Sequence, residues 1–351
     1  MIRVLVVDDS PTVRNSLTEI LRSDPDFDVV GVAGDGRRAI ELTAQLRPDV
    51  VTLDMVLPEL SGLAATEHIM AHYPTPILIV SASFNRGTLF ETYQALAAGA
   101  VDVLDKPSDG DDEWSARFLT AVRMVAKIKV ITHPRGRLRA LGRRVTTDPV
   151  IGPRSGPSSD RKPELIALGA STGGPSALVE VIAALPPSFQ LPIVIVLHIG
   201  ATFAEGFAEW LGRQTSRTIA CARDGDTLDG PGRVLFAPPG YHVIIRGRRV
   251  RLTSDPPRHH CQPSIDVLFE SLALEYGSRA SACLLTGMGR DGATGLLAMR
   301  RAGAFTIAQD EATSIVYGMP REAALCGAAE LVLPLHEIGP AIAMLAQPEK
   351  L

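Results

Sequence analysis

Residues 165–177 read Leu-Ile-Ala-Leu-Gly-Ala-Ser-Thr-Gly-Gly-Pro-Ser-Ala, and the rest of the chain is understood from them. Leu165 to Leu168 is an unbroken apolar run, as expected of a strand buried on both faces. Gly169, Gly173 and Gly174 surround Ser171 and Thr172, and Pro175 then opens a helix. Proline suits a first helical turn because its missing N–H would find no partner there. Strand, glycine turn and helix together bring Ser171 to a strand end beside helix N-terminal N–H groups. A nucleophilic serine needs that exposure and those donors. Gly169-x-Ser171-x-Gly173 also matches the nucleophile-elbow pattern. The same residues fit a turn whose serine or threonine merely caps the helix. A dinucleotide turn fits less well, because Ser171 stands where a second glycine is needed for pyrophosphate approach.

The chain has 351 residues, a formal net charge of −4 and 46% hydrophobic residues. That length suits about two domains, each able to build its own core. Near-neutral charge argues against a whole-chain preference for nucleic acid. Cys221, Cys261, Cys283 and Cys326 are scattered without a CxxC pair, which suits reduced thiols in the cytoplasm and gives no zinc signature. The N-terminus opens on a strand-like Ile2–Val7 rather than a signal peptide. No apolar stretch reaches the ~20 residues of a spanning helix. A cytoplasmic protein with no membrane insertion is expected.

In the first half, apolar strands at 2–7, 29–32, 50–53, 77–80 and 101–104 alternate with helices at about 11–21, 38–45, 62–72, 88–98 and 115–129. This predicts a doubly wound parallel α/β sheet with its site at the carboxyl ends of the strands. Polar residues stand at those ends: Asp8 and Asp9, Asp54, Ser81 and Lys106. Three carboxylates brought together repel one another, so they call for a hard cation such as Mg²⁺ or a cationic side chain such as Lys106. A carboxylate in such a site can attack a phosphoryl group while the ion neutralises the transferred charge.

With Val-Asp8-Asp9-Ser10, Leu-Asp54-Met, Val-Ser81-Ala82 and Lys106-Pro107 in place, residues 1–122 resemble a response-regulator receiver domain with a flavodoxin-like (βα)5 fold. The resemblance implies Asp54 as phospho-acceptor, Asp8 and Asp9 as Mg²⁺ ligands with Asp54, and Ser81 and Lys106 as signalling contacts. It departs at Val103, a position where receivers often carry an aromatic residue. Residues 123–162, with Arg135, Arg137, Arg139, Arg143 and Arg144 followed by a Gly/Pro/Ser cluster, predict a linker.

The second half, 163–351, predicts a further doubly wound, mostly parallel α/β domain. Its strands are expected at 165–168, 193–197, 233–237, 282–285, 304–308 and 331–333. An antiparallel hairpin is expected at 242–246 and 250–253, turning at Gly247. Ser171, His198 and Asp291 each follow an apolar strand, so they can meet at one sheet edge although distant in sequence. A serine hydroxyl needs a base, and the base needs a third group to hold its tautomer. Of eight histidines, only His198 directly follows a predicted parallel strand. A strand-end histidine bonded to a carbonyl, and an N-capping Asp291, are the alternatives. The chain order Ser, His, Asp differs from the Ser, Asp, His of α/β-hydrolases.

Residues 163–351 resemble the catalytic domain of chemotaxis protein-glutamate methylesterases, which are also protein-glutamine deamidases (glutaminases). The resemblance rests on Gly169-Ala-Ser171-Thr172-Gly-Gly-Pro175, His198 with Phe203, Pro263-Ser-Ile-Asp266-Val-Leu-Phe269, Leu285-Thr-Gly-Met288-Gly-Arg-Asp291-Gly, and Ala308-Gln-Asp-Glu-Ala-Thr313 with Tyr317-Gly-Met319-Pro-Arg-Glu322. It implies a Ser171–His198–Asp291 triad and oxyanion donors near Thr172 and Met288. It also implies methyl-accepting chemoreceptors as substrate, a histidine kinase of the chemotaxis type as phosphodonor, and esterase chemistry needing no cofactor. The receiver is expected to limit access to Ser171 until Asp54 is phosphorylated. A DNA-binding regulator predicts a basic recognition helix after residue 163, which is missing from the sequence. A binding scaffold with an inactive esterase domain is the other alternative.

Overall fold

The computed structural model describes residues 1–82, 86–106, 113–128, 130 and 162–346. The chain divides into two compact units, Met1–Pro149 and Val150–Leu351. Most of the expected linker, 123–162, lies outside the described residues, as does Pro107.

In the first unit, β1 (Ile2–Val7), β2 (Phe27–Ala33), β3 (Val50–Leu53), β4 (Ile77–Ser81) and β5 (Asp102–Asp105) form one sheet. They pair in parallel in the order β2-β1-β3-β4-β5. Helices α1 (Pro11–Arg22), α2 (Gly36–Leu46), α3 (Gly62–His72), α4 (Arg86–Ala97) and α5 (Trp114–Val125) alternate with the strands. Local chemistry sets where helices begin. Ser10, Asp35 and Ser61 each accept the N–H three residues on, at Val13, Arg38 and Ala64, and Pro11 follows the first of these caps. The Asp35 cap starts α2 two residues before the expected Arg38. The strand β5 lies one residue later than its apolar run suggests, and α5 ends at Val125 rather than Lys129. Strand order reverses between β1 and β3, which places the ends carrying Asp8 and Asp54 side by side at the switch point.

The second unit holds a seven-stranded sheet: β6 (Leu165–Ala170), β7 (Ile193–Leu197), β8 (Ile219–Cys221), β9 (Val234–Phe236), β12 (Ala280–Leu284), β13 (Phe305–Gln309) and β14 (Leu331–Leu333). Its order is β14-β13-β12-β6-β7-β9-β8, parallel throughout. The expected hairpin, β10 (His242–Arg246) with β11 (Arg249–Thr253), forms a separate antiparallel sheet. The helices of this unit are α6 (Gly174–Ala183), α7 (Ala201–Thr215), α8 (Ile265–Glu275), α9 (Ala293–Arg301), α10 (Met319–Leu325) and α11 (Leu335–Leu345).

The strand burial pattern explains the parallel sheet. β6, β7, β12 and β13 are buried at every position, so both faces must be covered. On one face Leu165, Ala167, Val194 and Val196 join Leu268, Phe269 and Leu272 of α8 and Leu296 and Met299 of α9. Elsewhere Phe207 and Trp210 of α7 are fully buried, with the Phe207 ring 5.3 Å from that of Phe236 on β9. β6 is flanked by β7 on one side and β12 on the other, so the switch point of this sheet lies between β6 and β12. No helix among the described residues is long and apolar enough to cross a membrane.

Phe207→Ala should cost about 3–5 kcal/mol, the usual loss for a fully buried phenylalanine. Urea unfolding followed by Trp210 fluorescence, in a chain carrying Trp114→Phe, measures it.

Candidate active site

Ser171 and His198 directly follow β6 and β7, and Asp291 lies in the loop that follows β12. The ladder continues past the strands: the His198 N–H donates to the Ala170 carbonyl (3.0 Å) and the Leu285 N–H to the Gly169 carbonyl (2.8 Å). This fixes the three strand ends relative to one another before any side chain is considered.

Ser171 lies on a turn that α6 requires. The Gly174 N–H donates to the Ser171 carbonyl (2.6 Å), and Gly173 precedes the helix with φ +78°, a left-handed conformation that disfavours any side chain. Thr286 holds this turn from the next strand end. Its carbonyl accepts the Ser171 N–H (3.0 Å) and its hydroxyl donates to the Thr172 carbonyl (3.0 Å). Fully buried Gln309 accepts the Thr286 N–H at 2.8 Å through Oε1, while its own amide donates to the Thr313 carbonyl at 2.8 Å. Gly287 passes so close to Ser171 that an added Cβ would stand 2.6 Å from the Ser171 Cβ. The loop 286–288 therefore lies against the serine. The Met288 N–H makes no hydrogen bond among the described residues, and its side chain is exposed.

His198 Nε2 lies 3.0 Å from Asp291 Oδ2. Asp291 is 2% exposed, and four donors converge on it. Oδ2 takes the Ile265 N–H (2.7 Å) and His198 Nε2, while Oδ1 takes the Ser264 hydroxyl (2.7 Å) and the Asp266 N–H (3.2 Å). Ser264, Ile265 and Asp266 are the cap and first turn of α8, so the carboxylate rests on a helix N-terminus, where the dipole favours negative charge. Burial alone would raise the Asp291 carboxyl; His198, Ser264 and the Ile265 N–H outweigh it and hold the group below the usual range. Ser264 is held in turn by buried His242, whose Nδ1 accepts the Ser264 N–H (3.1 Å) and whose Nε2 faces the Pro256 carbonyl (3.2 Å).

With Nε2 committed to Asp291, Nδ1 is the nitrogen left to serve as base. In this structure Nδ1 faces the Cys261 sulfur at 3.6 Å, and among the described residues no hydrogen bond joins it to Ser171. Thus the structure joins His198 to Asp291 directly and places Ser171 on the neighbouring strand end without that bond. Burial pulls the His198 pKa down, but hydrogen bonds to Asp291 and Cys261 outweigh it and raise it to about 9.

The first unit has its own cluster. Lys106 Nζ lies 2.7 Å from both Asp8 Oδ2 and Asp54 Oδ2, and the Ser81 hydroxyl donates to Asp54 Oδ1 at 2.7 Å. Burial raises the Asp8 carboxyl, and Lys106 only partly offsets this. Burial would lower the Lys106 ammonium, but Asp54 and Asp8 raise it. Asp8, Asp9 and Asp54 each offer an oxygen, all within 4.8 Å of one another, an all-oxygen set of the kind Mg²⁺ takes. Asp9 is exposed, open to solvent on that side. The groupings around Asp291 are less suited to an ion, because its four donors already occupy both oxygens.

Sequence reasoning did not single out Cys261, Ser264, His242 or Gln309. Ser264 and Gln309 lay inside motifs already quoted, and their polarity beside apolar runs was a usable signal. Cys261 and His242 gave none.

A carboxylate and lysine cluster at the switch point of one parallel sheet and a serine at that of a second describe a response-regulator class of chain with a second α/β domain as effector. The family model for the CheB methylesterase matches residues 166–342, and that for the response regulator receiver domain matches 4–115. The chain belongs to the CheB methylesterase family. A protein-glutamate methylesterase/protein-glutamine glutaminase of Nitrosospira multiformis is 42% identical over 98% of this chain and 97% of its own length. One of Pseudomonas aeruginosa is 43% identical over 97% and 96%. The CheB methylesterase catalytic domain of Thermotoga maritima superposes with a TM-score of 0.50 at 32% identity, covering 52% of this chain and 99% of that one.

Ser264→Ala removes both a cap, typically about 0.5–2 kcal/mol, and a donor to Asp291. Thermal unfolding and methanol release should both fall, and Ser264→Thr should restore most of each. A base must be neutral to accept a proton, so a His198 pKa near 9 makes turnover climb with pH from neutrality through about 9. Cys261→Ala should move that limb toward lower pH, as read in a kcat/KM profile.

Proposed function

We propose that Ser171, His198 and Asp291 carry out the hydrolysis of glutamate methyl esters and the deamidation of glutamines. The chain is a protein-glutamate methylesterase/protein-glutamine glutaminase, and the observation that supports these residues is the His198–Asp291 pair at the strand end beside Ser171. Ser171 Oγ attacks the side-chain carbonyl and its proton passes to His198 Nδ1. Nε2–H stays with Asp291, which stabilises the imidazolium. Backbone N–H groups near Thr172 and Met288 receive the developing oxyanion. One such donor is typically worth about 2.7–4 kcal/mol. The proton leaves with methanol, or with ammonia from glutamine. Water, deprotonated by Nδ1, then frees Ser171. Hydrogen-bond distances of this kind tighten on substrate binding, which accommodates the present separation of Ser171 from Nδ1.

The substrates are the signalling helices of methyl-accepting chemoreceptors, met in the cytoplasm, and the phosphodonor is a chemotaxis-type histidine kinase. Asp54 is the phospho-acceptor. Asp8, Asp9 and Asp54 would hold Mg²⁺, which supplies charge neutralisation for phosphoryl transfer when bound. Ser81 and Lys106 contact the Asp54 oxygens, which supports a role for both in meeting the acyl phosphate. The domains assigned are 1–122 for the receiver and 163–351 for the esterase, with 123–162 as the linker. Phosphorylation shifts activity only by what it contributes differently to the active and inactive arrangements.

Methanol release from methylated receptor membranes tests both halves. It should vanish in Ser171→Ala. A small phosphodonor with Mg²⁺ should stimulate the native chain and leave Asp54→Asn unstimulated. Release by Ser171→Ala equal to the native chain's would overturn the triad, and equal stimulation of Asp54→Asn would overturn the phospho-acceptor.

A further inference from the structure

The His198–Asp291 pair lies at the strand end beside Ser171, and in this structure the other ring nitrogen of His198 is turned to Cys261. Cys261 Sγ lies 3.6 Å from His198 Nδ1, while Nε2 of the same ring lies 3.0 Å from Asp291. Cysteine, imidazole and carboxylate thus stand in the serial order that activates thiols in enzymes. The carboxylate is itself held by four donors, so the ring cannot rotate away without breaking that pair. The thiol also faces the His259 carbonyl, which accepts from it at 3.4 Å.

The backbone places the thiol with unusual care. Arg258 and Cys261 exchange both backbone hydrogen bonds, at 3.1 and 2.8 Å, across a tight turn. Its two central residues, His259 and His260, have φ values of +53° and +62°, a left-handed conformation uncommon for side chains of this size. The other cysteines differ. Cys221 and Cys326 are exposed, Cys326 facing the Ala293 and Ala323 carbonyls, and Cys283 is fully enclosed on β12.

We propose that Cys261 is a second nucleophile on the same base, and a site of reversible modification by low-molecular-weight disulfides that shuts the esterase off. In this step the Cys261 proton resides on Nδ1 as a thiolate–imidazolium pair, and the thiolate attacks one sulfur of the disulfide. A new S–S bond forms and the old one breaks. The departing thiolate takes the proton from the imidazolium and leaves as a thiol. The mixed disulfide then occupies the space before Nδ1 that Ser171 needs, and a reducing thiol restores the site. The blocking step rests on the His198–Asp291 base assigned above, whereas the reactivity of the thiol does not depend on Ser171.

The test uses the full chain with glutathione disulfide near neutral pH, with peptide mass spectrometry reporting each cysteine separately. Although only half-buried, Cys261 should react on the order of tenfold faster than the exposed Cys221 and Cys326. His198→Gln should abolish that advantage while the Cys221 and Cys326 rates, which report an intact fold, stay the same. Ser171→Ala should keep it, which separates this proposal from the esterase assignment. Methanol release by the native chain should fall in step with the Cys261 adduct and return with a thiol reductant, and whatever activity Cys261→Ala retains should be insensitive to the disulfide. A Cys261 rate no higher than those of Cys221 and Cys326, or one unchanged in His198→Gln, overturns the second nucleophile. An adduct on Cys261 with methanol release undiminished overturns the shut-off.

Discussion

The Asp291 carboxylate bears on nearly everything in the second unit's site. It is a buried anion, and a buried anion survives only with donors around it. Here the donors are two backbone N–H groups from the first turn of α8, the Ser264 hydroxyl that caps the same helix, and His198 Nε2. One group therefore joins three parts of the fold: the loop after β12, the start of α8 and the end of β7. The histidine gains a fixed tautomer from this arrangement, because Nε2 must carry its proton toward the carboxylate. The helix gains an anion at its positive end. Neighbouring Asp266 illustrates the cost of crowding. It is fully buried in the same first turn of α8, and burial together with the Asp291 charge raises its carboxyl.

Both units solve the problem of gathering distant residues in the same way. Each is a parallel sheet whose strand order reverses once, between β1 and β3 in the first and between β6 and β12 in the second. Loops leaving the two sides of a reversal diverge, and the crevice between them is open to polar chemistry. In the first unit it holds carboxylates around Lys106, suited to a cation and a phosphoryl group. In the second it holds one serine on a glycine turn, with a single anion set behind the histidine. The backbone plan is shared, while the charge of the residues at the strand ends decides the reaction.

Much of this was legible in the sequence because fully buried parallel strands are unbroken apolar runs, and a polar residue directly after such a run stands out. Asp8, Asp54, Ser81, Lys106, Ser171 and His198 were found that way. The elements that escaped lack the signal. β8 has three residues, two of them exposed, at the sheet edge. α11 carries Pro340 in its interior, which reads as a breaker until the helix is seen to bury Ile338, Ala341, Ile342 and Leu345 around it. Ser264 and His242 act through α8 and the hairpin, so their approach to Asp291 depends on packing that no period in the sequence encodes. Cys261 lies in a proline-flanked loop, and only tertiary structure carries that loop to His198.

The choice of nitrogen follows from these contacts and shapes how the site works. Had Asp291 met Nδ1, Nε2 would be the base and would extend away from the backbone of the His198 strand end. Because Asp291 meets Nε2, the nitrogen left open is the one nearer the main chain, and any group that uses it as a base must come close to the strand ends. Ser171 satisfies that requirement by standing directly beyond the adjacent strand, with Gly287 pressed against its side chain to keep it there. Cys261 comes to the same nitrogen from its own loop. That Nδ1 is the nitrogen open to neighbours is thus a consequence of fixing the histidine from its far edge.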